Sequence, residues 1–206
     1  MSASSTQDSA EAVAKVMAAR RSVRSFSEVI PARGDVERII AAGLAGPYAA
    51  AMSSGGGLDR RFSVLTPASV ALGAAARAIQ AHAQKALGVP GTPAPLRARL
   101  EPVAEGRILG VGTAPYYVVV AERQGLVAPQ ALAHALENMW LMATALGCGM
   151  HLVSVTTMMG DDPAFCKALG LPVGEYALNG CAIGVPAQSP ETRTPLDAAG
   201  VTTWLD

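Results

Sequence analysis

The sequence predicts a single α+β domain that spans residues 1–206. Half of the 206 residues are apolar and only 16% are charged, a balance that excludes an intrinsically disordered chain. A chain of this length can bury one sizeable core. Helix and strand patterns follow one another without the regular rhythm of strand–helix–strand units, so the α+β class is favoured over a parallel α/β fold.

The first half of the chain is predicted to contain four helices and one strand. Asp8 and Glu11 have the spacing of a capping box, so a helix is expected to begin near Ser9 and residues 1–8 are expected to be disordered. Asp35 is placed to cap a second helix, whose apolar residues recur at helical spacing. The predicted elements are helix 9–20, helix 35–44, strand 61–65, helix 67–87 and helix 95–108.

The second half contains the clearest strand, at residues 115–121, because β-branched and aromatic side chains fill it almost throughout. Pro129 begins a long helix with apolar residues along one face, and Gly147 is well placed to end it. The other predicted elements are an extended segment at 150–155, a short helix at 162–169 and a strand at 176–183.

Composition and charge exclude several classes of function. Sixteen basic residues balance sixteen acidic ones, so the formal net charge is zero and there is no electrostatic basis for binding nucleic acid. Residues 138–160 carry no formal charge, but their glycines and threonines favour a buried helix and strand over a membrane span. The N-terminus lacks the basic and apolar regions of a secretory signal, so we expect a cytoplasmic protein.

Motifs for several kinds of chemistry are missing. The three cysteines and three histidines lack the spacing of a disulfide framework or zinc site, so we expect no metal. The sequence contains no P-loop, nucleophile elbow or complete dinucleotide-binding fingerprint.

Residues 20–24 combine three arginines with a serine, and guanidinium groups match phosphate oxygens. On spacing alone, however, solvated basic residues at a helix end are favoured about two to one.

Four motifs follow one another along the chain: Arg20-Arg-Ser-Val-Arg-Ser-Phe26, Ala114-Pro-Tyr-Tyr-Val-Val-Val120, Glu137-Asn-Met-Trp-Leu-Met-Ala-Thr-Ala-Leu-Gly-Cys-Gly149, and Leu169-Gly-Leu-Pro172 with Cys181-Ala-Ile-Gly-Val-Pro186. Together they resemble the nitroreductase-like family of FMN-dependent flavoproteins, over residues 20–193. The resemblance implies a central, mainly antiparallel sheet flanked by helices, in an intertwined homodimer with two FMN molecules at its interface. It also implies that residues 187–206 pack on the partner subunit.

The resemblance further implies an oxidoreductase that takes hydride from NAD(P)H onto flavin N5 and reduces a small planar acceptor of nitroaromatic or quinone type. No catalytic side chain is expected, because the flavin supplies the chemistry. The residues implied to hold the phosphate and ribityl chain are Arg20, Arg21, Ser22, Arg24 and Arg193. The residues implied to lie against the flavin ring, with one amide near N5, are Leu152, Val153, Ser154 and Val155.

The chain departs from the family pattern at residues 47–58. The expected Asn and Gln amides and the Pro-Trp pair are missing, and three consecutive glycines favour a flexible loop. We therefore expect Tyr48 and Met52 to form a different wall of the substrate pocket, although Tyr48 packing on the second helix is equally favoured. Arg60 and Arg61 are predicted at a solvated boundary between loop and strand, with contacts to a second subunit as the alternative.

Two other functions are compatible with the altered loop. One is a flavin-fragmenting enzyme that uses reduced FMN as its substrate. The other is a non-catalytic protein that binds FMN for storage or sensing.

Overall fold

The computed structural model describes residues 3–47, 60–191 and 197–205. The helices within these ranges are α1 (Ala3–Ala19), α2 (Arg33–Leu44), α3 (Val70–Leu87), α4 (Ala94–Ala104), α5 (Ala128–Ala145) and α6 (Pro163–Leu169). The strands are β1 (Arg60–Leu65), β2 (Tyr116–Arg123), β3 (Gly149–Val153) and β4 (Tyr176–Gly184). Two 3-10 turns cover Ser154–Met158 and Ala199–Val201. Within the described ranges, no helix is long and apolar enough to cross a membrane.

The four strands form one antiparallel sheet in the order β1-β2-β4-β3. Val118 at the middle of β2 pairs with Val64 of β1 on one side and Cys181 of β4 on the other. The extended segment after α1 runs beside β3, where Ser22 forms a parallel bridge with Met150. The predicted α+β class and antiparallel sheet are therefore confirmed.

The sheet is buried on both faces, because alternate residues of β2 point to opposite sides. Tyr117 and Val119 pack in a cluster with side chains of α3 and α6. Val118 and Val120 pack in a second cluster with side chains of α2 and α5. The helices α2 and α5 approach closely at Gly43, where an added Cβ would lie 2.7 Å from the Met139 side chain.

The structure corrects several predicted boundaries. Helix α1 begins at Ala3, so residues 3–8 are helical and not disordered. Asp35 lies in the first turn of α2 and does not cap it, although its charge suits the positive end of the helix dipole. Helix α4 ends at Ala104, before Gly106 with a φ of +83°. The extended segment predicted at 150–155 ends at Val153, and the chain then turns.

The prediction for Arg60 is wrong. Its side chain is fully buried and its Nε donates to Oε2 of Glu122 at 2.6 Å. The two residues are paired across β1 and β2, and Arg60 also donates to the carbonyl oxygens of Gly43 and Gly46. Arg61 is exposed, as predicted. Arg60 therefore links β1 to β2 and to the end of α2.

Candidate functional site

A cavity of about 520 Å³ lies where β3 and its following turn meet α4. This volume falls within the range of about 300–1,000 Å³ that is usual for small-molecule sites. The cavity is lined mostly by apolar side chains, with three basic residues among them. Its lining residues from the sheet side are His151, Leu152, Val153, Ser154, Val155 and Met158.

Helix α4 forms one wall of this cavity. Leu96, Leu100 and Val103 recur at helical spacing and line the cavity together. The last turn of α4 is fixed to α3, because the side-chain amides of Gln80 and Gln84 both donate to the carbonyl oxygen of Ala104. The wall is thus positioned by contacts between two helices that are neighbours in sequence.

The turn after α4 brings Ile108 and Leu109 to the cavity. This turn depends on Gly110, whose φ is +87°, a backbone conformation that favours glycine. An added Cβ at Gly110 would lie 2.6 Å from the Cβ of Ala182 in β4. A side chain at this position would therefore push the turn away from the sheet.

The turn that follows β3 is fixed from behind by a buried pair of hydroxyl groups. The hydroxyls of Tyr117 and Thr156 share a hydrogen bond of 2.7 Å. Burial raises the pKa of Tyr117, so its phenol stays neutral. Thr156 fits there because Gly180 leaves the space, as an added Cβ would lie 2.4 Å from Oγ1 of Thr156. The backbone of 152–155 is therefore held in place beside the cavity.

The arginine-containing segment is held along β3 as an extended chain. The amide of Val23 donates to the carbonyl oxygen of Met150 at 3.0 Å, and the Val23 side chain is buried where Gly149 leaves space for it. Side chains of an extended chain alternate in direction. Ser22 and Arg24 are exposed, and Arg24 lines the 520 Å³ cavity.

Arg20 and Arg21 make contacts elsewhere. The Arg20 guanidinium lies 4.5 Å from the centre of the Trp140 ring and 3.3 Å from Oε1 of Glu137, both on α5. Arg21 lines a second cavity of about 170 Å³ and donates from Nε to the carbonyl oxygen of Glu191. Its buried Nη2 has no hydrogen-bond partner within the described residues.

The charge around the larger cavity is all of one sign. Arg24, Arg99 and His151 line it, and no acidic side chain does so among the described residues. Burial lowers the pKa of His151, and the nearby charge of Arg24 lowers it further. The site is therefore arranged to attract an anion or a group rich in hydrogen-bond acceptors.

The cysteines take no part in this site. Cys148, Cys166 and Cys181 are buried and form no disulfide. Burial raises the pKa of all three thiols, to about 12 for Cys181. Thiols of this kind are not reactive nucleophiles near neutral pH.

The structure brings only some of the predicted site residues together. Arg24 lines one cavity with Leu152, Val153, Ser154 and Val155. Arg20 and Ser22 lie along the same segment outside that cavity, and Arg21 lies at the smaller one. Tyr48, Met52 and Arg193 lie outside the described residues.

Sequence reasoning missed Arg99 and His151 as lining residues. Arg99 has a weak signal, since it lies three residues after Leu96 and four before Val103 and so shares their helix face. No local sequence signal identifies His151, because only the pairing of β3 with β4 determines which residues of this strand face the cavity.

Residues 17–185 match the sequence profile of the nitroreductase family. No curated protein matches the chain. Among solved structures, the chain is similar to a nitroreductase with bound FMN from Bacteroides fragilis, with 24% identity, a TM-score of 0.72, and coverage of 94% of this chain and 98% of that one. A BluB-like flavoprotein from Clostridium difficile has 19% identity, a TM-score of 0.72, and coverage of 94% and 99%. The FMN- and NADPH-dependent nitroreductase NfnB from "sphigopyxis" sp. strain HMH has 18% identity, a TM-score of 0.65, and coverage of 94% and 99%.

Proposed function

The chain belongs to the nitroreductase family, and we propose that it is an FMN-dependent oxidoreductase that passes electrons from NAD(P)H to a small planar acceptor. The observation that carries this proposal is the cavity that joins Arg24 to residues 152–155. These two segments are far apart in sequence, and the family resemblance implies that both contact the cofactor.

The residues around the cavity fit a flavin. Leu152 and Val155 offer apolar contacts to a flat ring, and Arg24 offers guanidinium donors to the carbonyl and nitrogen acceptors at its pyrimidine edge. The backbone of 152–155 is fixed by the buried hydroxyl pair behind it. We therefore assign residues 152–155 to the ring, with one amide of this segment near N5. The resemblance implies that Arg24 holds the phosphate or ribityl chain, but because Arg24 shares the cavity with residues 152–155 we assign it instead to the ring.

We assign the phosphate to the other end of the arginine segment. Ser22 shares the direction of Arg24 along the extended chain, and Arg20 precedes both at the end of α1, where its amide donates to the carbonyl oxygen of Val16. Arg21 donates to the carbonyl oxygen of Glu191, which precedes Arg193 by two positions in the sequence. The buried Nη2 of Arg21, which has no partner among the described residues, is a costly donor to leave unpaired, and a bound anion would satisfy it.

FMN, when bound, supplies two-electron exchange at N5. The chain's own residues then have to orient the ring, exclude water from one face and admit the acceptor at the other. Neutral thiols and the neutral phenol of Tyr117 leave the described site without an obvious acid–base pair, which suits chemistry carried by a cofactor. Tyr48 and Met52 remain our proposed substrate contacts.

We also propose that the active form is a homodimer. An apolar groove of about 470 Å³ lies among α1, α2 and α5, with Val13, Val16, Leu141 and Met142 in its lining. Val13 and Met17 on α1 are more than half exposed in the single chain. A second copy would cover this surface, and light scattering is expected to give twice the 21.0 kDa chain mass.

The test is the absorbance spectrum of the purified protein after addition of FMN, followed by NADH or NADPH oxidation with menadione or a nitroaromatic acceptor. We expect bound flavin and acceptor-dependent oxidation. A protein that binds FMN but oxidises neither nucleotide would favour the storage or sensing function. Breakdown of reduced FMN in air would favour the flavin-fragmenting function. Failure to bind FMN would overturn all three.

To test the phosphate assignment, Arg20→Ala is compared with wild type for binding of FMN and of riboflavin. Because charged hydrogen bonds contribute about 1.5–3 kcal/mol, we expect FMN affinity to fall about ten- to a hundredfold. Riboflavin lacks the phosphate, so its affinity should change little. An unchanged preference for FMN would contradict the assignment of Arg20.

A further inference from the structure

Arg99 on α4 is a cavity residue without a partner among the described residues. It lines the 520 Å³ cavity, and it makes no hydrogen bond or ion pair with any described residue. By contrast, Arg33 pairs with Glu37 and Arg107 pairs with Glu105 at the surface. Arg99 is exposed and lines the wall of the cavity, so its guanidinium is available to a ligand there.

The surroundings of Arg99 define the ligand that would suit it. Leu96, Leu100 and Val103 lie within one turn of it on the same face of α4 and offer contacts to a flat apolar ring. A single guanidinium matches the two oxygens of a carboxylate in a bidentate pair. A phosphate dianion would need further donors, and none of the other cavity residues on α4 can donate through a side chain.

The other two basic residues of the cavity lining also favour an anionic ligand. Arg24 and His151 lie at the sheet side of the cavity, and no described acidic side chain there would repel an anion. Arg24 is assigned above to the flavin ring. Arg99 lies on a different wall of the cavity, on α4. It is therefore available to a ligand bound between the flavin and that helix.

We propose that Arg99 binds the carboxylate of an aromatic acceptor, so that the site selects anionic acceptors over neutral ones of the same shape. This inference rests on the proposed function, because the flavin is needed to complete the site. Arg99 is then a specificity-determining residue that acts on substrate binding. The transfer itself takes place at the other end of the acceptor.

The first test is equilibrium binding to the FMN-loaded protein by titration calorimetry. Benzoate and benzamide have nearly the same shape and differ in charge, and neither accepts electrons from flavin. We expect benzoate to bind more tightly than benzamide by about tenfold or more in wild type. Arg99→Ala should remove this preference, and Arg99→Lys should keep part of it because the charge remains.

Arg97→Ala is the matched control. Arg97 is exposed two residues earlier on the same helix and donates to the carbonyl oxygen of Leu87, outside the cavity. The control variant is expected to bind both ligands as wild type does. Because Arg99 is itself exposed, its truncation should leave the melting temperature close to that of wild type.

The second test follows reoxidation of dithionite-reduced enzyme by 4-nitrobenzoate and 4-nitrobenzamide. Two electrons from the flavin and two protons convert the nitro group to a nitroso group and one water. We expect Arg99→Ala to raise the half-saturating concentration of 4-nitrobenzoate about ten- to a hundredfold. The limiting rate and the behaviour of 4-nitrobenzamide should change little.

The two proposals fail in different ways. If wild type and Arg99→Ala discriminate equally between the charged and neutral ligands while the flavin is still reoxidised, the role of Arg99 is wrong and the proposed function stands. If the protein takes up no FMN, or neither acceptor reoxidises it, the proposed function itself is wrong.

Discussion

Two regions of this domain contain arginines in opposite situations. At the base of β1, Arg60 is completely buried, pairs with Glu122 and donates to carbonyl oxygens of Gly43, Gly46 and Ala131. At the cavity beside β3, Arg24 and Arg99 line open space without an acidic partner among the described residues. The same side chain thus links elements of the fold in one place and is a solvent-exposed donor in the other.

The difference indicates where a ligand belongs. A buried charge is tolerated when its partners are part of the fold, and it then adds little to binding. A cluster of basic groups that the fold leaves unpaired is disfavoured unless something else supplies the negative charge. The cavity, and not the buried pair, is therefore where an anionic ligand would meet guanidinium donors that the described fold does not use.

The largest effect is expected from breaking the buried pair. Glu122→Gln leaves Arg60 as an uncompensated buried charge, and the free energy of unfolding should fall by about 3–5 kcal/mol. Urea unfolding of FMN-saturated protein at one fixed protein concentration measures this loss. Glu175→Gln is the control, because it breaks an exposed pair with Arg123 and should cost less than about 1 kcal/mol. Equal losses in the two variants would remove the distinction between the regions.

A smaller loss of stability is expected in the cavity wall. Gly110 and Gly112 have φ angles of +87° and +80°, but an added Cβ meets Ala182 at Gly110 and nothing within 4 Å at Gly112. Gly112→Ala should cost about 1–2 kcal/mol for its backbone alone. Gly110→Ala should cost about 1–3 kcal/mol more, because it also overpacks the wall. Identical unfolding curves would show that this wall is not packed against the sheet.

The smallest effect concerns pH. Burial and the charge of Arg24 lower the pKa of His151 in the folded protein. When the pH falls below the ordinary histidine value of 6.5, the unfolded chain binds a proton that the folded chain does not. Stability that is present above this pH should therefore be lost as the pH falls through the lowered pKa of His151.

His151→Gln tests this pH dependence. Its melting temperature should fall less than that of wild type between about pH 7.5 and about pH 5.5. His134→Gln changes an exposed histidine of α5 and is expected to follow wild type. The same pH dependence in wild type and His151→Gln would place His151 outside the basic cavity.

Local signals predicted those elements that depend on a few neighbouring residues. Asp162 caps α6 by accepting from the amide of Phe165, and β2 forms where β-branched residues are concentrated. The family resemblance implied that Arg24 and residues 152–155 both contact the cofactor, and both line one cavity; their role in binding FMN stays a prediction. Arg60 was misread because its partner, Glu122, lies 62 positions away, and only the pairing of β1 with β2 brings the two together.

The far wall of the cavity could not be predicted either. The placement of α4 depends on the hydrogen bonds from Gln80 and Gln84 and on the close approach at Gly110, none of which leaves a local pattern. Arg99 is consequently not among the predicted site residues. The predicted roles of Tyr48, Met52 and Arg193 stay predictions, because these residues lie outside the described ranges.

The most direct test of the proposed site is the FMN affinity of Arg24→Ala, measured by quenching of flavin fluorescence. Arg38→Ala serves as the control, because Arg38 lies on α2 with an exposed side chain away from the cavity. We predict that Arg24→Ala weakens FMN binding about ten- to a hundredfold, with a similar loss for riboflavin because Arg24 faces the ring. Wild-type affinity in Arg24→Ala would contradict the assignment of this cavity to the flavin.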